Sequence, residues 1–273
     1  MTNQLIHGVD LTLGYPGRTI SRHLEVVVPA SQVTVIVGPN ACGKSTLLRA
    51  LSRLLNPAVG EVLLDGKNIA RIPAKEFARR LGLLPQQSRA PFGITVGDLV
   101  ARGRHPHQNL MQRWTIADEA AVHRALQAAD LLDLVDRPVE ELSGGQRQRV
   151  WIALLLAQDP PTMLLDEPTT FLDIANQLEV LELCRRLNRD EGRTMVLVLH
   201  ELSLAARCAD HLIVMSSGEI VADGPVREVL TESLLADVFR IRAKVIDDPV
   251  GGQPMVIPIE SLRERPLPDP ATY

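Results

Sequence analysis

The 273-residue chain carries 29 Lys and Arg against 33 Asp and Glu, a net charge of −4, with 45% hydrophobic and 23% charged residues. That balance is ordinary for a globular chain: it excludes intrinsic disorder and collagen-like structure as the main state, and it offers no field to draw a nucleic-acid backbone, so no nucleic-acid partner is expected. Cys42, Cys184 and Cys208 lie far apart, which leaves neither a disulfide framework nor a CxxC metal site and points to a reducing compartment.

From the N-terminus, residues 5–13 and 21–28 read as paired antiparallel strands. Val33–Val37 is a β-branched run ending in a glycine-rich segment, and 45–54 then reads as a helix stopped by Asn56-Pro57. Residues 60–65 add a flanking strand ahead of an Asp65-Gly66 turn. The pattern turns helical over about 88–142, with helices at 96–102 and 117–134 around a loop at His105-Pro106-His107, which is expected to be a solvent loop rather than a metal site. This is read as an inserted helical lobe.

Apolar runs at 163–165 and 195–199 have the look of buried parallel strands, and helices at 150–157 and 177–187 separate them, so a mostly parallel sheet with right-handed crossovers is the economical core. Residues 213–215 and 219–223 form a hairpin, and 244–247 with 254–259 form another. The Pro-rich tail from Arg265 is expected to be mobile. The longest strongly apolar run, 150–157, falls well short of the ~18 residues a membrane span needs, and the first ten residues lack a secretory pattern. The expectation is a cytoplasmic α/β domain over 1–240 followed by a β-hairpin extension and tail over 241–273.

Gly38-Pro39-Asn40-Ala41-Cys42-Gly43-Lys44-Ser45 satisfies GxxxxGK[ST] between a predicted strand and a predicted helix. Glycines let backbone N–H groups converge on phosphate oxygens, Lys44 reaches the β- and γ-phosphates, and Ser45 is placed to ligate Mg²⁺. Asp166-Glu167 ends a buried strand: Asp166 is placed to hold Mg²⁺ through a water, while Glu167, expected to project toward solvent, suits the base that activates water. Leu142-Ser143-Gly144-Gly145-Gln146 precedes a helix expected to begin near Gln146, where a serine hydroxyl and two bare glycines make a second anion site.

These three segments together resemble the ATP-binding subunit of an ABC transporter, whose signature is LSGGQ. The resemblance implies a P-loop NTPase cassette and assigns further residues one by one. Tyr15 matches the aromatic that stacks on adenine, and Thr46 completes the phosphate loop. Gln86 matches the Q-loop glutamine that touches Mg²⁺ and hinges the helical lobe. Asp173 matches the D-loop aspartate and His200 the switch histidine near the γ-phosphate. It also implies a head-to-tail homodimer in which Ser143, Gly144, Gly145 and Gln146 of one subunit close over ATP held by Lys44 of the other, beneath membrane permease subunits at the cytoplasmic face.

Outside the general motifs, Gly93-Ile94-Thr95-Val96, Arg102-Gly103-Arg104, the run DEPTTFLDI at 166–174 and the ending from Ala243 to Pro249 resemble the ATPases of ferric-siderophore importers, within a group that also serves haem and cobalamin. Such systems imply a periplasmic or lipoprotein substrate-binding protein as an indirect partner. Cys42 stands where the family usually has a small residue and is read first as a tolerated small side chain; the helix start beside Lys44 also offers a route to a lowered thiol pKa. Glu201 replaces a frequent Asp after the switch histidine. A soluble ABC ATPase acting on DNA or ribosomes shares the motifs, but one cassette, no long coiled-coil insertion and the net charge disfavour it; no NKxD motif supports a GTPase.

Overall fold

The computed structural model describes residues 6–108, 114–170 and 172–262. The Pro-rich tail, Leu5 and Phe171 lie outside them. β1 (Ile6–Tyr15) and β2 (Arg18–Val28) form a hairpin, and β3 (Val33–Val37) leads into α1 (Lys44–Leu51). β4 (Val59–Leu64) and β5 (Lys67–Asn68) complete an antiparallel sheet ordered β2-β1-β4-β5. Then come α2 (Ala74–Arg80), β6 (Leu81–Leu84), α3 (Val96–Ala101), α4 (Ile116–Ala128) and α5 (Gly144–Gln158). β7 (Thr162–Asp166), α6 (Ile174–Glu191), β8 (Thr194–Val198), α7 (Leu202–Cys208) and β9 (His211–Ser216) follow. β10 (Glu219–Pro225), α8 (Val226–Val229), α9 (Glu232–Phe239), β11 (Ile241–Asp247) and β12 (Pro254–Ser261) end the described chain.

The central sheet runs β10-β9-β3-β8-β7-β6, parallel throughout except at the β10 edge. Strand alternation sends neighbouring residues to opposite faces. Val33, Val35 and Val37 join the core shared with α5 and α6, whereas Ile36 faces the core that holds α1. Leu164 and Val196 repeat the pattern against Met163 and Met195. α1 therefore lies between the two sheets, with Leu47, Leu48 and Leu51 at most 1% exposed. Each such burial stabilises by about 2 kcal/mol, and together they hold the phosphate-loop helix rigid. No helix among the described residues is long and apolar enough to cross a membrane.

Several expectations shift. The antiparallel flank is present, as a separate sheet whose apolar face packs on α1. α1 stops at Leu51, three residues before the expected end: Arg53 turns left-handed (φ 64) and the N–H groups of Leu54 and Leu55 fold back onto Arg49 O. α4 ends at Ala128, where Asp130 is left-handed (φ 54). The His105-Pro106-His107 loop is instead part of a 3-10 turn over Arg102–His107, with His107 Nε2 2.8 Å from Gln158 O. β6 has no counterpart among the expected elements; four residues containing a glycine carry too little pattern. The last hairpin is present, its inner residues Ala243 and Val256 buried against the core.

Candidate nucleotide-binding site

Parallel strands in register bring their carboxyl ends to one edge of the sheet. β3 lies beside β8, β8 beside β7 and β7 beside β6. The glycine-rich loop after β3, His200 after β8, Asp166 at the end of β7 and Gln86 after β6 therefore meet, although they are far apart in sequence. A cavity of about 490 Å³ lies here, lined by Tyr15, Asn40, Ala41, Cys42, Gly43, Lys44, Ser45, Thr46, Gln86, Glu167 and His200, together with Arg18 and Ile20; Asp166 is not part of the lining and connects to it through Ser45. Gly38 and Pro39 close the loop behind it.

The loop's geometry explains its glycines. Gly38 has φ 155 and Gly43 φ 113, and a Cβ on Gly38 would lie 2.1 Å from Met215 O, so only glycine fits there. The first-turn N–H groups of α1 have no intrahelical partners and form an anion-binding end. Lys44 is 5% exposed, and its Nζ donates to Gly38 O at 2.8 Å and Pro39 O at 3.0 Å. An ammonium held at the loop rim beside an open cavity fits a polyphosphate.

Ser45 Oγ donates to Asp166 Oδ1 across 3.1 Å. Asp166 is buried, and desolvation pushes its carboxyl above the usual range, against the Ser45 hydrogen bond that pulls it down. Ser45 and Asp166 offer two hard oxygens and the Gln86 side-chain carbonyl a third, a donor set that fits Mg²⁺, with phosphate and water supplying the rest.

Glu167 departs from its expected exposure: its side chain is 9% exposed and tied at both oxygens. His200 Nε2 lies 2.5 Å from Oε1, while Gln86 Nε2 donates to Oε2 at 2.6 Å and Thr170 Oγ1 donates to the same oxygen at 3.1 Å. Glu167 also adopts φ 52, an unfavourable conformation for a non-glycine residue, and the Thr170 N–H closes the turn onto its carbonyl at 3.3 Å. Thr170 joins the site although no motif names it; its hydroxyl three residues after the glutamate is the sequence signal for it.

The signature segment does not line this cavity. Ser143 caps α5 in a capping box with Gln146, which moves the helix start two residues ahead of the expected one and occupies the Gln146 side chain: its Oε1 accepts from Ser143 N at 3.1 Å. Gly144 faces open space, whereas a Cβ on Gly145 would meet Asn176 Oδ1 at 2.2 Å. Asp173 caps α6, accepting from Asn176 N at 2.9 Å, and these hydrogen bonds lower its carboxyl pKa. At Cys42 burial raises the thiol pKa and outweighs the nearby Lys44, so the lowered pKa that the helix start offers is not found.

A glycine-rich loop between a central parallel strand and a helix, with an aspartate-glutamate strand end beside it, defines a P-loop ATPase. The ABC transporter family model matches residues 21–170, and the chain belongs to that family. It is 52% identical over 93% of its length to the ferric enterobactin transport ATP-binding protein FepC of Escherichia coli (strain K12), of which it covers 94%. It is 50% identical over 91% to the siderophore transport ATP-binding protein YusV of Bacillus subtilis (strain 168), covering 90% of it. Among solved structures, a chain of a metal-chelate type ABC transporter in an inward-facing conformation superposes with TM-score 0.81 at 27% identity, covering 95% of this chain and 98% of that one.

Proposed function

We propose that the chain is the ATP-hydrolysing subunit of a ferric-siderophore importer, a homodimer on integral permease subunits at the cytoplasmic face of the cell membrane, fed indirectly by a substrate-binding protein. The cargo reading is carried by one observation: FepC and YusV, both at half identity or above over nine-tenths of the chain, are named for siderophore systems. The same reading takes 1–240 as the ATPase domain with its helical lobe at about 88–142, and 241–273 as the extension.

Residues 38–46 and Tyr15 bind ATP, the loop through phosphate and the ring through stacking. Ser45, Asp166 and Gln86 hold Mg²⁺, which when bound neutralises charge developing on the phosphates. Glu167 orients and deprotonates the attacking water, and His200 fixes that carboxylate from the other side. Ser143, Gly144, Gly145 and Gln146 lie outside their own chain's cavity; across a head-to-tail dimer their helix start and Asp173 complete the partner's site. Sandwich opening after hydrolysis then moves the lobe through the Gln86 segment.

The test is uptake of radiolabelled iron presented as ferric siderophores by iron-limited cells whose sole copy carries Glu167→Gln, with haem and cobalamin uptake alongside. Selective loss of siderophore iron is expected. Loss of haem or cobalamin uptake alone would change the cargo, and persistence of all three would remove the importer reading.

A further inference from the structure

Tyr15 is the last residue of β1, at a hairpin turn where pairing with β2 shifts register between Leu13 and Gly14. Tyr15 is 41% exposed, and exposed side chains exchange rotamers within nanoseconds unless a contact holds them. A ring in that state stacks on a base poorly, because ordering it costs binding free energy.

One bond at the ring's tip removes that freedom: Arg49 Nη1 donates to Tyr15 Oη at 3.0 Å. Arg49 sits on α1, five residues beyond Lys44, on the helix whose first turn borders the phosphate end of the cavity. Its own backbone is pinned, since Arg49 O accepts from Leu54 N at 2.8 Å, Leu55 N at 3.0 Å and Ser52 Oγ at 3.1 Å. The guanidinium thus ties the end of β1, where Tyr15 pairs with Arg18, to the helix that follows the phosphate loop.

We propose that Arg49 is a positioning residue for base recognition, holding the Tyr15 ring at a set angle and distance from the phosphate loop so that the purine of ATP meets a preorganised face. The proposal rests on the reading of Tyr15 as the base-stacking residue. Arg49 is also close enough to Asp166 to favour its ionised form, which offers a competing route by which it acts on the phosphate and metal end.

A double-mutant cycle separates the two. ATP is titrated onto the full chain in the wild type, Arg49→Ala, Tyr15→Phe, the double variant and Tyr15→Ala. Losing one hydrogen bond and the order it imposes weakens ATP binding about three- to tenfold in Arg49→Ala and in Tyr15→Phe alike, and the double variant is no weaker than either. Tyr15→Ala is weaker still, and in ATPase assays the Arg49→Ala loss falls on KM. A further loss from Arg49→Ala in the Tyr15→Phe background overturns the positioning role in favour of the Asp166 route. Unchanged affinity in Arg49→Ala while Tyr15→Ala is weakened overturns it and leaves the base reading standing. Unchanged affinity in Tyr15→Ala overturns the base reading and the proposal with it.

Discussion

The Gln86 side-chain amide donates to Glu167 Oε2 across 2.6 Å although the residues stand 81 apart in sequence. With Thr170 on the same oxygen and His200 on the other, every oxygen of the carboxylate faces a protein group. Gln86 follows β6 and opens the segment leading to α3, so this contact ties that segment to the end of β7. Oε1 keeps a lone pair beyond its His200 contact and Glu167 lines the cavity, so a water can reach the carboxylate there.

Glu167→Gln keeps the side chain's size and its place beside Gln86 and Thr170 while removing the base. Turnover is expected to fall by about 10²- to 10⁴-fold with ATP binding retained, and the protein to accumulate as an ATP-bound dimer. Steady-state ATPase assays, nucleotide titration and size-exclusion chromatography check this together; a fully active, monomeric variant would overturn the base assignment.

The phosphate loop, Asp166-Glu167 and LSGGQ were legible because each is a contiguous segment whose residue types are dictated by local backbone geometry. β6 and the contacts around Glu167 were not. They depend on which strands become neighbours, and β7 sits between β6 and β8 only in the folded sheet. At Cys42 the nearby cation is visible in sequence, whereas the burial that outweighs it and raises the thiol pKa exists only once the loop is folded.

The remaining cysteines give a pH prediction. Burial pushes the thiols of Cys184 and Cys208 from 9.0 up to about 12. Folding thus favours the neutral form; below pH 9 both states hold it and stability is unaffected, while between 9 and 12 the unfolded chain ionises and gains. Each thiol then removes about 1.4 kcal/mol per pH unit. Urea midpoints measured from pH 8 to 11 should fall less steeply in a Cys184→Ala/Cys208→Ala variant; equal slopes would show that the thiols do not titrate this way.

Arg104 and Asp118 form a buried pair at 2.9 Å that ties the 3-10 turn to α4, and Arg104 Nη1 also donates to Ala157 O of α5 at 2.8 Å. Asp118 completes the α4 cap with Thr115, and these bonds, with Arg104, hold its carboxyl below the usual range. Asp118→Ala leaves a guanidinium buried without its partner and is expected to cost about 3 to 5 kcal/mol. The depressed pKa makes this contribution fully present above the usual carboxylate range and lost as pH falls through the lowered folded value. Denaturation of both proteins at pH 7 and pH 3 checks the size and the sign.

Gly144 and Gly145 are adjacent, yet their surroundings predict opposite phenotypes. Asn176, whose amide is fixed by bonds to both oxygens of Asp173 at 2.9 Å, leaves no room for a Cβ on Gly145. Gly145→Ala must therefore displace it, at about 1 to 3 kcal/mol. A Cβ on Gly144 meets nothing within 4 Å, so Gly144→Ala should shift stability by no more than about 0.5 kcal/mol. If its bare backbone is kept for the approach of the partner's nucleotide, that same methyl blocks closure. Size-exclusion chromatography of Glu167→Gln with and without Gly144→Ala, in ATP, should then show the dimer lost from a chain whose urea midpoint is unchanged; a dimer that survives means the open side of Gly144 is not where the second subunit's ATP docks.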